Sequence, residues 1–302
     1  MQQKFYSNGK LLLSGEYAVL DGAKAWAMPT KFGQYLKVSK NDSEQLIWKS
    51  FNEKGTSWFN GVYQKELLTE ISSSDKDTAK TLLKILLEAQ KLNPVFLCDS
   101  KGFEIETKLT FPRDWGLGSS STLINNIAQW AQIDAYKLLG NAFSGSGYDI
   151  ACAQTNTPII FELDGGLPRV KEVNSKPKFS NSLYFIYLNK KRNSRDAINA
   201  YRQREIDKSI LVEKISDLTL EMVACSQIEE FEELLNMHEA ILSDALGIPT
   251  VKEELFSDYK GSIKSLGAWG GDFILATGNS SPSNYFKNKG YLTVIPFQEM
   301  IL

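Results

Sequence analysis

The stretch that most constrains the fold runs from residue 102 to residue 139. Gly102 to Phe111 (GFEIETKLTF) alternates apolar and polar residues and reads as a strand. Phe111 to Thr122 (FPRDWGLGSSST) then sets two glycines and three serines before an apolar segment. Ser119 to Leu139 reads as one long helix, with Leu123, Ile127, Trp130, Ala131, Ile133 and Leu138 on much of its buried side. A strand that passes through glycines into a helix presents unpaired N–H groups at the positive end of the helix dipole, a setting suited to phosphate. Glycines let the backbone approach a ligand, and serine hydroxyls can ligate Mg2+ or bond phosphate oxygens. A flexible turn before a serine-capped helix has the same outline. No lysine follows the second glycine, so this is not a Walker loop, and the loop alone leaves both readings open.

The elements around it mix helix and strand without regular βαβ alternation, so the fold class is α+β. Gly33 to Ser39 and Glu44 to Phe51 read as strands, with Gly55 and Gly61 punctuating hairpins. Asp77 to Leu92 has the spacing of a helix. Pro158 to Leu163 is a short strand closed by the turn Asp164 to Gly166, and Leu183 to Leu188 is a buried strand. Helices dominate from Arg195 to Leu246. Lys264 to Thr277 reads as strand–turn–strand, and Tyr291 to Phe297 as a last strand. A segment rich in lysine, proline and serine from Lys171 to Ser182 suggests a boundary, giving domains over 1–172 and 173–302.

Composition excludes several classes of function. A chain of 302 residues accommodates one large or two medium domains, and a net charge of −2 argues against bulk binding of nucleic acid. Three cysteines with no C-x-x-C pair argue against a disulfide framework or a cysteine zinc site, and favour a reducing, cytoplasmic setting. The single histidine, His238, disfavours a histidine metal site or triad. The first residues show only a short apolar run, so no signal or transit peptide is expected. No run reaches the roughly 18 apolar residues of a membrane helix. A soluble protein, monomeric or homodimeric, acting on a small molecule is expected.

Three further stretches matter. Ser7 to Leu20 contains Gly9-Lys10 and Gly15-Glu16-Tyr17. Ser144 to Ala153 (SGSGYDIACA) places Asp149 after a glycine- and serine-rich loop, where a carboxylate could take a proton from a hydroxyl or merely cap a helix. Ser265 to Ala276 contains Gly267, Trp269, Gly270 and Gly271. Taken in order, Gly9-Lys10…Gly15-Glu16, Pro112…Gly116-Leu117-Gly118-Ser119-Ser120, Gly147…Asp149 and Gly267…Gly270-Gly271 resemble the motifs of the GHMP kinases, the family of galactokinase, homoserine kinase, mevalonate kinase and phosphomevalonate kinase. The string Gly147-Tyr148-Asp149-Ile150-Ala151 looks like that of one subfamily.

The resemblance implies an N-terminal domain like ribosomal protein S5 domain 2, a ferredoxin-like C-terminal domain, and ATP with Mg2+. It implies that Asp149 is the catalytic aspartate and that Lys10 lies near the reacting hydroxyl. Ser120 would contact Mg2+. Pro112, Trp115, Gly116, Leu117, Gly118, Ser119, Ser120 and Ser121 would form the ATP loop. Glu16, Tyr17, Gly147, Tyr148, Ser194, Arg195, Gly267, Trp269 and Gly270 are candidates for the substrate side. The chain also departs from the pattern. Trp115 replaces a usual small residue, Trp269 interrupts the last glycine motif, and Ser121 replaces a common alanine. The interval from Leu138 to Gly147 lacks the magnesium-binding glutamate that several relatives carry; Asp134 is available but reads as a solvent-facing helix residue.

Other residues have plainer readings. The basic run Lys190 to Arg195 could meet a phosphate on the substrate or be a solvated surface. His238 reads as structural, and Trp26 and Met28 as core. Tyrosine after Gly15-Glu16 favours the isoprenoid branch of the family, with 5-phosphomevalonate slightly ahead of mevalonate as acceptor. A related decarboxylase and a sensor that has lost catalysis remain alternatives.

Overall fold

The structure, a computed structural model, describes residues 2–143, 145–173, 176–190, 194–278 and 282–302, with Ser194 and Arg195 described for their backbone alone. The chain opens with β1 (Gln3–Ser14), a 3-10 turn (Ala18–Asp21), β2 (Ala25–Asn41), β3 (Gln45–Phe51), β4 (Ser57–Gln64) and β5 (Thr69–Ser73). Next come α1 (Lys76–Leu92), β6 (Gly102–Leu109), α2 (Ser119–Ala131), α3 (Ala135–Ala142) and α4 (Tyr148–Gln154). Then follow β7 (Ile159–Asp164), β8 (Leu167–Glu172), β9 (Leu183–Tyr187), α5 (Ser194–Arg202), α6 (Lys208–Ala224) and α7 (Ile228–Leu246). The last elements are α8 (Val251–Leu255), β10 (Ile263–Ser265), β11 (Phe273–Thr277), α9 (Pro282–Asn288), β12 (Val294–Pro296) and α10 (Phe297–Met300).

These elements form two compact units, each assembled from separate stretches of chain. The first comprises Met1–Gly9, Phe32–Arg113 and Leu117–Gln154; the second comprises Lys10–Lys31, Asp114–Gly116 and Thr155–Leu302. Within the first, strands run in the order β5-β4-β3-β6-β2, antiparallel except for the parallel pair β3–β6. Alternate residues of the strands supply one buried face: Leu36 and Val38, Leu46 and Trp48, Phe103 and Ile105. They share a core with Leu82, Ile85 and Leu86 of α1 and Ile124 and Ile127 of α2. That is the pattern of an antiparallel sheet covered by helices on one face. Gly61 lies inside β4 rather than at a hairpin. There the Tyr63 ring leaves no room for a Cβ, whose ideal position is 2.7 Å from Cζ.

The single long helix expected over Ser119 to Leu139 is two helices. Gln132 takes a left-handed φ of 54° and closes α2, with Ile133 N–H donating to the Ala128 carbonyl at 3.0 Å. Asp134 then caps α3, its Oδ1 accepting from Tyr136 N–H at 2.7 Å. Asp134 is therefore a helix cap rather than a residue along a helix face.

In the second unit the first part of β2 pairs with β7, and β7 with β8. A separate antiparallel sheet has the order β10-β11-β9-β12. Counted along the chain, its strands stand 2-3-1-4, with helices between the first and second strands and between the third and fourth. This is the split βαβ arrangement of a ferredoxin-like sheet, as expected. Trp26 and Met28 are buried core residues, as expected. No helix among the described residues is long and apolar enough to cross a membrane.

Candidate active site

The glycine loop leaves β6 and enters α2. Thr110 Oγ1 accepts from Gly33 N–H at 2.8 Å and fixes the end of the strand. Pro112 follows, half-buried, and the Arg113 guanidinium stacks 3.6 Å from the centre of the Trp58 ring. Residues 114–116 belong to the second unit and are held there at three points. Tyr187 donates its hydroxyl to Asp114 Oδ2 at 2.9 Å, while burial and that bond push the phenol pKa up. Trp115 packs edge-on against Phe273 at 5.4 Å and lies 6.4 Å from Tyr187. Lys10 Nζ donates to the Gly116 carbonyl at 3.0 Å. Trp115 thus serves as an anchor for residues 114–116.

Gly116 has φ +66°, and a Cβ there would sit 2.5 Å from Asp272 Cγ, so only glycine fits. Leu117 is buried. Gly118, at φ 87°, is the N-cap residue of α2 and offers no side chain to cap it. Among the described residues the backbone N–H groups of Ser119, Ser120 and Ser121 have no hydrogen-bond acceptor. The Ser120 side chain is exposed. Ser121 instead turns inward and donates to the Gly118 carbonyl at 2.9 Å. Three free amides, a positive dipole end and an open hydroxyl make a donor set that fits a polyphosphate. For a divalent cation the fit is thinner: the described residues contain no group of three or more His, Cys, Asp or Glu able to hold one. A cation here would take most of its oxygens from the nucleotide and water.

Asp149 is the second residue of α4, in the same unit as α2. It is half-buried, and among the described residues its carboxylate makes no hydrogen bond or ion pair. Gly147 precedes it at φ +93°, where a Cβ would lie 3.0 Å from the Tyr136 ring. Burial pushes the Tyr136 phenol up to about 12, so it stays protonated beside the carboxylate of Asp149. A chain of hydrogen bonds, buried except at its exposed end Gln154, ties α4 to α2, β1 and β2. Gln154 donates to Asn125 Oδ1 at 2.9 Å and Asn125 to Ser7 Oγ at 2.9 Å. Ser7 donates to Asn126 Oδ1 at 2.8 Å, and Asn126 to the Gln34 carbonyl at 2.9 Å. The helix with the free amides and the helix with the free carboxylate are therefore fixed to each other. The sequence reading missed these residues. The signal was two adjacent asparagines set between the apolar residues Ile124 and Ile127 of α2.

The remaining candidates divide as follows. Glu16 and Tyr17 are buried in the second unit. Tyr17 shares a core with Tyr201, Leu242 and Trp269, so Trp269 is a packing residue there. Gly267 and Gly270 have φ of 62° and 76° on either side of it, and Trp269 itself takes 43°. Tyr148 begins α4. Of the basic run, residues 191–193 lie outside the described residues, and Ser194 and Arg195 are known only as the first residues of α5. His238 is buried, as expected of a structural residue, and its Nε2 accepts from Gly15 N–H at 3.3 Å.

No family model and no curated protein sequence matches the chain. Solved structures do. The mevalonate kinase of Methanococcus jannaschii matches at a TM-score of 0.70 with 16% identity, over 97% of this chain and 96% of that one. The phosphomevalonate kinase of Streptococcus pneumoniae, solved with phosphomevalonate and AMPPNP, matches at 0.69 with 16% identity, over 95% of each chain. The galactokinase of Lactococcus lactis, solved with galactose, matches at 0.64 with 15% identity, over 98% of this chain and 94% of that one. The fold is thus the two-domain α+β fold of the GHMP kinases over essentially the whole chain.

Proposed function

We propose that the chain is a GHMP-type kinase that transfers the γ-phosphoryl group of ATP to a small mevalonate-like acid, with 5-phosphomevalonate favoured over mevalonate. One observation carries the reading. Among the described residues, the α2 terminus with three unpartnered amides and the unpartnered carboxylate of Asp149 belong to one unit and are tied by the Gln154–Asn125 bond, and the family resemblance would give them the roles of phosphate site and base. The similarity of fold to kinases of this family supports it.

Bound ATP would supply the phosphoryl group and Mg2+ would neutralise its charge. In this reading the amides of Ser119 to Ser121 bind the phosphates, and the Ser120 hydroxyl is the protein's metal ligand. Asp149 takes the proton of a hydroxyl acceptor, or orients a phosphate acceptor, as the new O–P bond forms and the bond to ADP breaks. The proton then leaves to solvent. Lys10 stabilises the loop through Gly116 and adds positive charge near the acceptor. Residues 1–172 would form the ATP-binding domain and 173–302 the C-terminal domain of a cytoplasmic enzyme. The tyrosine after Glu16 supports the phosphomevalonate acceptor.

The test is ADP release from Mg·ATP with mevalonate, 5-phosphomevalonate, homoserine and galactose, beside Asp149→Asn. Turnover on one acid, lost by at least about a thousandfold in the variant with ATP affinity kept, is expected. Full activity of Asp149→Asn would remove it as the base. Release of CO2 with ADP would point to the decarboxylase.

A further inference from the structure

Four ionisable side chains that the proposed chemistry does not use meet in the second unit. Glu16 follows β1, His238 and Glu239 lie on α7, and Lys264 is the middle residue of β10. None of the four exposes more than 4% of its side chain. They are the charged groups that face one another from β1, α7 and β10. The Lys264 ammonium uses all three protons: on Glu16 Oε1 at 2.7 Å, Glu239 Oε1 at 3.3 Å and the Ser265 carbonyl at 2.9 Å. Ser265 donates its hydroxyl to Glu239 Oε2 at 2.8 Å. That leaves Glu16 Oε2, which has no hydrogen-bond partner among the described residues and faces His238 Nε2 at 3.5 Å.

The count of protons follows from these contacts. His238 Nε2 accepts the Gly15 N–H, which assigns the ring proton of a neutral imidazole to Nδ1, a buried nitrogen with no hydrogen-bond partner among the described residues. An ionised Glu16 Oε2 would then face the electron-rich edge of the ring with no donor of its own, a repulsion that a proton on the carboxyl relieves. Two carboxylates and one ammonium also leave a buried net charge of −1, which one proton cancels.

The backbone explains what is being held. Tyr17 has φ 60° and ψ −51°, and Ala18 N–H donates to the Glu16 carbonyl at 2.6 Å. This is a γ-turn of the rare, strained hand, kept only where the surroundings over-determine it. Gly15 and Glu16, on its N-terminal side, are the residues bonded to His238 and Lys264. The Tyr17 ring packs against Tyr201, tilted by 35° with centroids 5.4 Å apart.

We propose that Glu16, Glu239 and Lys264 share one buried proton and, with His238, form a latch that sets the Gly15–Tyr17 turn, so that Glu16 is a positioning residue and not a contact of the acceptor. Burial raises both carboxyls, Glu239 to about 7, and keeps His238 neutral, in line with a proton held by the pair. The consequence for the acceptor rests on the kinase reading; the latch does not.

The test uses the chain's single histidine, whose ring signals need no assignment. In the full chain labelled with 15N-histidine and lacking a histidine tag, NMR should show a neutral ring protonated on Nδ1 between about pH 5 and pH 9. Its shifts should move once, near pH 7, and Glu239→Gln should abolish that step. Glu16→Gln, whose amide can donate to Nε2 as the acid does, should keep slow amide exchange at residues 15–18. Glu16→Ala should speed it by about tenfold. A ring protonated on Nε2, an imidazolium forming near the ordinary pKa of about 6.5, or a step surviving in Glu239→Gln would overturn the proposal. So would Glu16→Gln loosening the turn as much as Glu16→Ala. None of these readouts depends on turnover, so they stand whether or not the panel of acceptors finds a substrate.

Discussion

Gly116→Ala tests how the glycine loop is held. Two costs can be separated from the structure. Alanine at φ +66° enters the left-handed region, at about 1–2 kcal/mol. Its Cβ would also come within 2.5 Å of Asp272 Cγ. The Asp272 backbone cannot retreat easily, because its N–H donates to the Lys190 carbonyl at 2.7 Å and its carbonyl accepts from Leu188 N–H at 2.8 Å. Either the carboxylate rotates away or the loop shifts off its Lys10 bond, an overpacking cost of about 1–3 kcal/mol. Together the variant should lose roughly 2–5 kcal/mol in urea unfolding at unchanged m-value, and Mg·ATP should bind more weakly. Asp272 itself has φ 53°, so Asp272→Gly suits the backbone and removes the obstacle. In that background Gly116→Ala should cost only the about 1–2 kcal/mol of the left-handed conformation. Wild-type stability of Gly116→Ala, or an equal cost in both backgrounds, would refute the argument.

Other expectations follow from the same contacts. Glu239 is raised from 4.5 to about 7 when folded, so its stabilising contribution is full below pH 4.5 and lost as pH rises through about 7. The decline should amount to roughly 3 kcal/mol, and Glu239→Gln should flatten it in denaturation curves taken across that range. Ser120→Ala should raise the Mg2+ concentration needed for half-maximal turnover several-fold while leaving stability within about 0.5 kcal/mol, since the hydroxyl is exposed; an unchanged magnesium dependence would take Ser120 out of the metal shell. Asn126→Leu strands the Ser7 hydroxyl and the Gln34 carbonyl, so urea unfolding should show a loss of about 2–4 kcal/mol.

What the sequence made legible was local. The glycine loop, the Gly147–Asp149 string and the turn after β7 are each specified by neighbouring residues, and among the described residues the first amides of α2 and the Asp149 carboxylate have no hydrogen-bond partner. The break between α2 and α3 was legible in principle, since Asp134 is a capping residue, but the continuous apolar periodicity across Gln132 concealed it. Ser121 was grouped with the other loop serines, yet its hydroxyl turns back to the Gly118 carbonyl while Ser120 stays exposed, because the third residue of a helix points toward a different neighbour from the second.

What was not legible depends on partners far away in the chain. Lys264 stands between Ile263 and Ser265 in a short strand, and period-two alternation would put it on a solvent face. In the fold all three residues of β10 are buried, so the ammonium must be paired, and its carboxylates come from 25 and 248 residues away. The same holds for α2. Its asparagines look misplaced for an amphipathic helix until Ser7, 118 and 119 residues earlier, is brought against them. Trp115 and Trp269 likewise look like damage to the motifs when the motifs are read alone. Trp115 meets Phe273 and Tyr187, and Trp269 shares the core of Tyr17 and Tyr201. Each large residue in a glycine segment is matched by an aromatic neighbour supplied by a distant strand, turn or helix. The departures are therefore compensated in packing, and they give no reason of their own to read the loop as a ruined one.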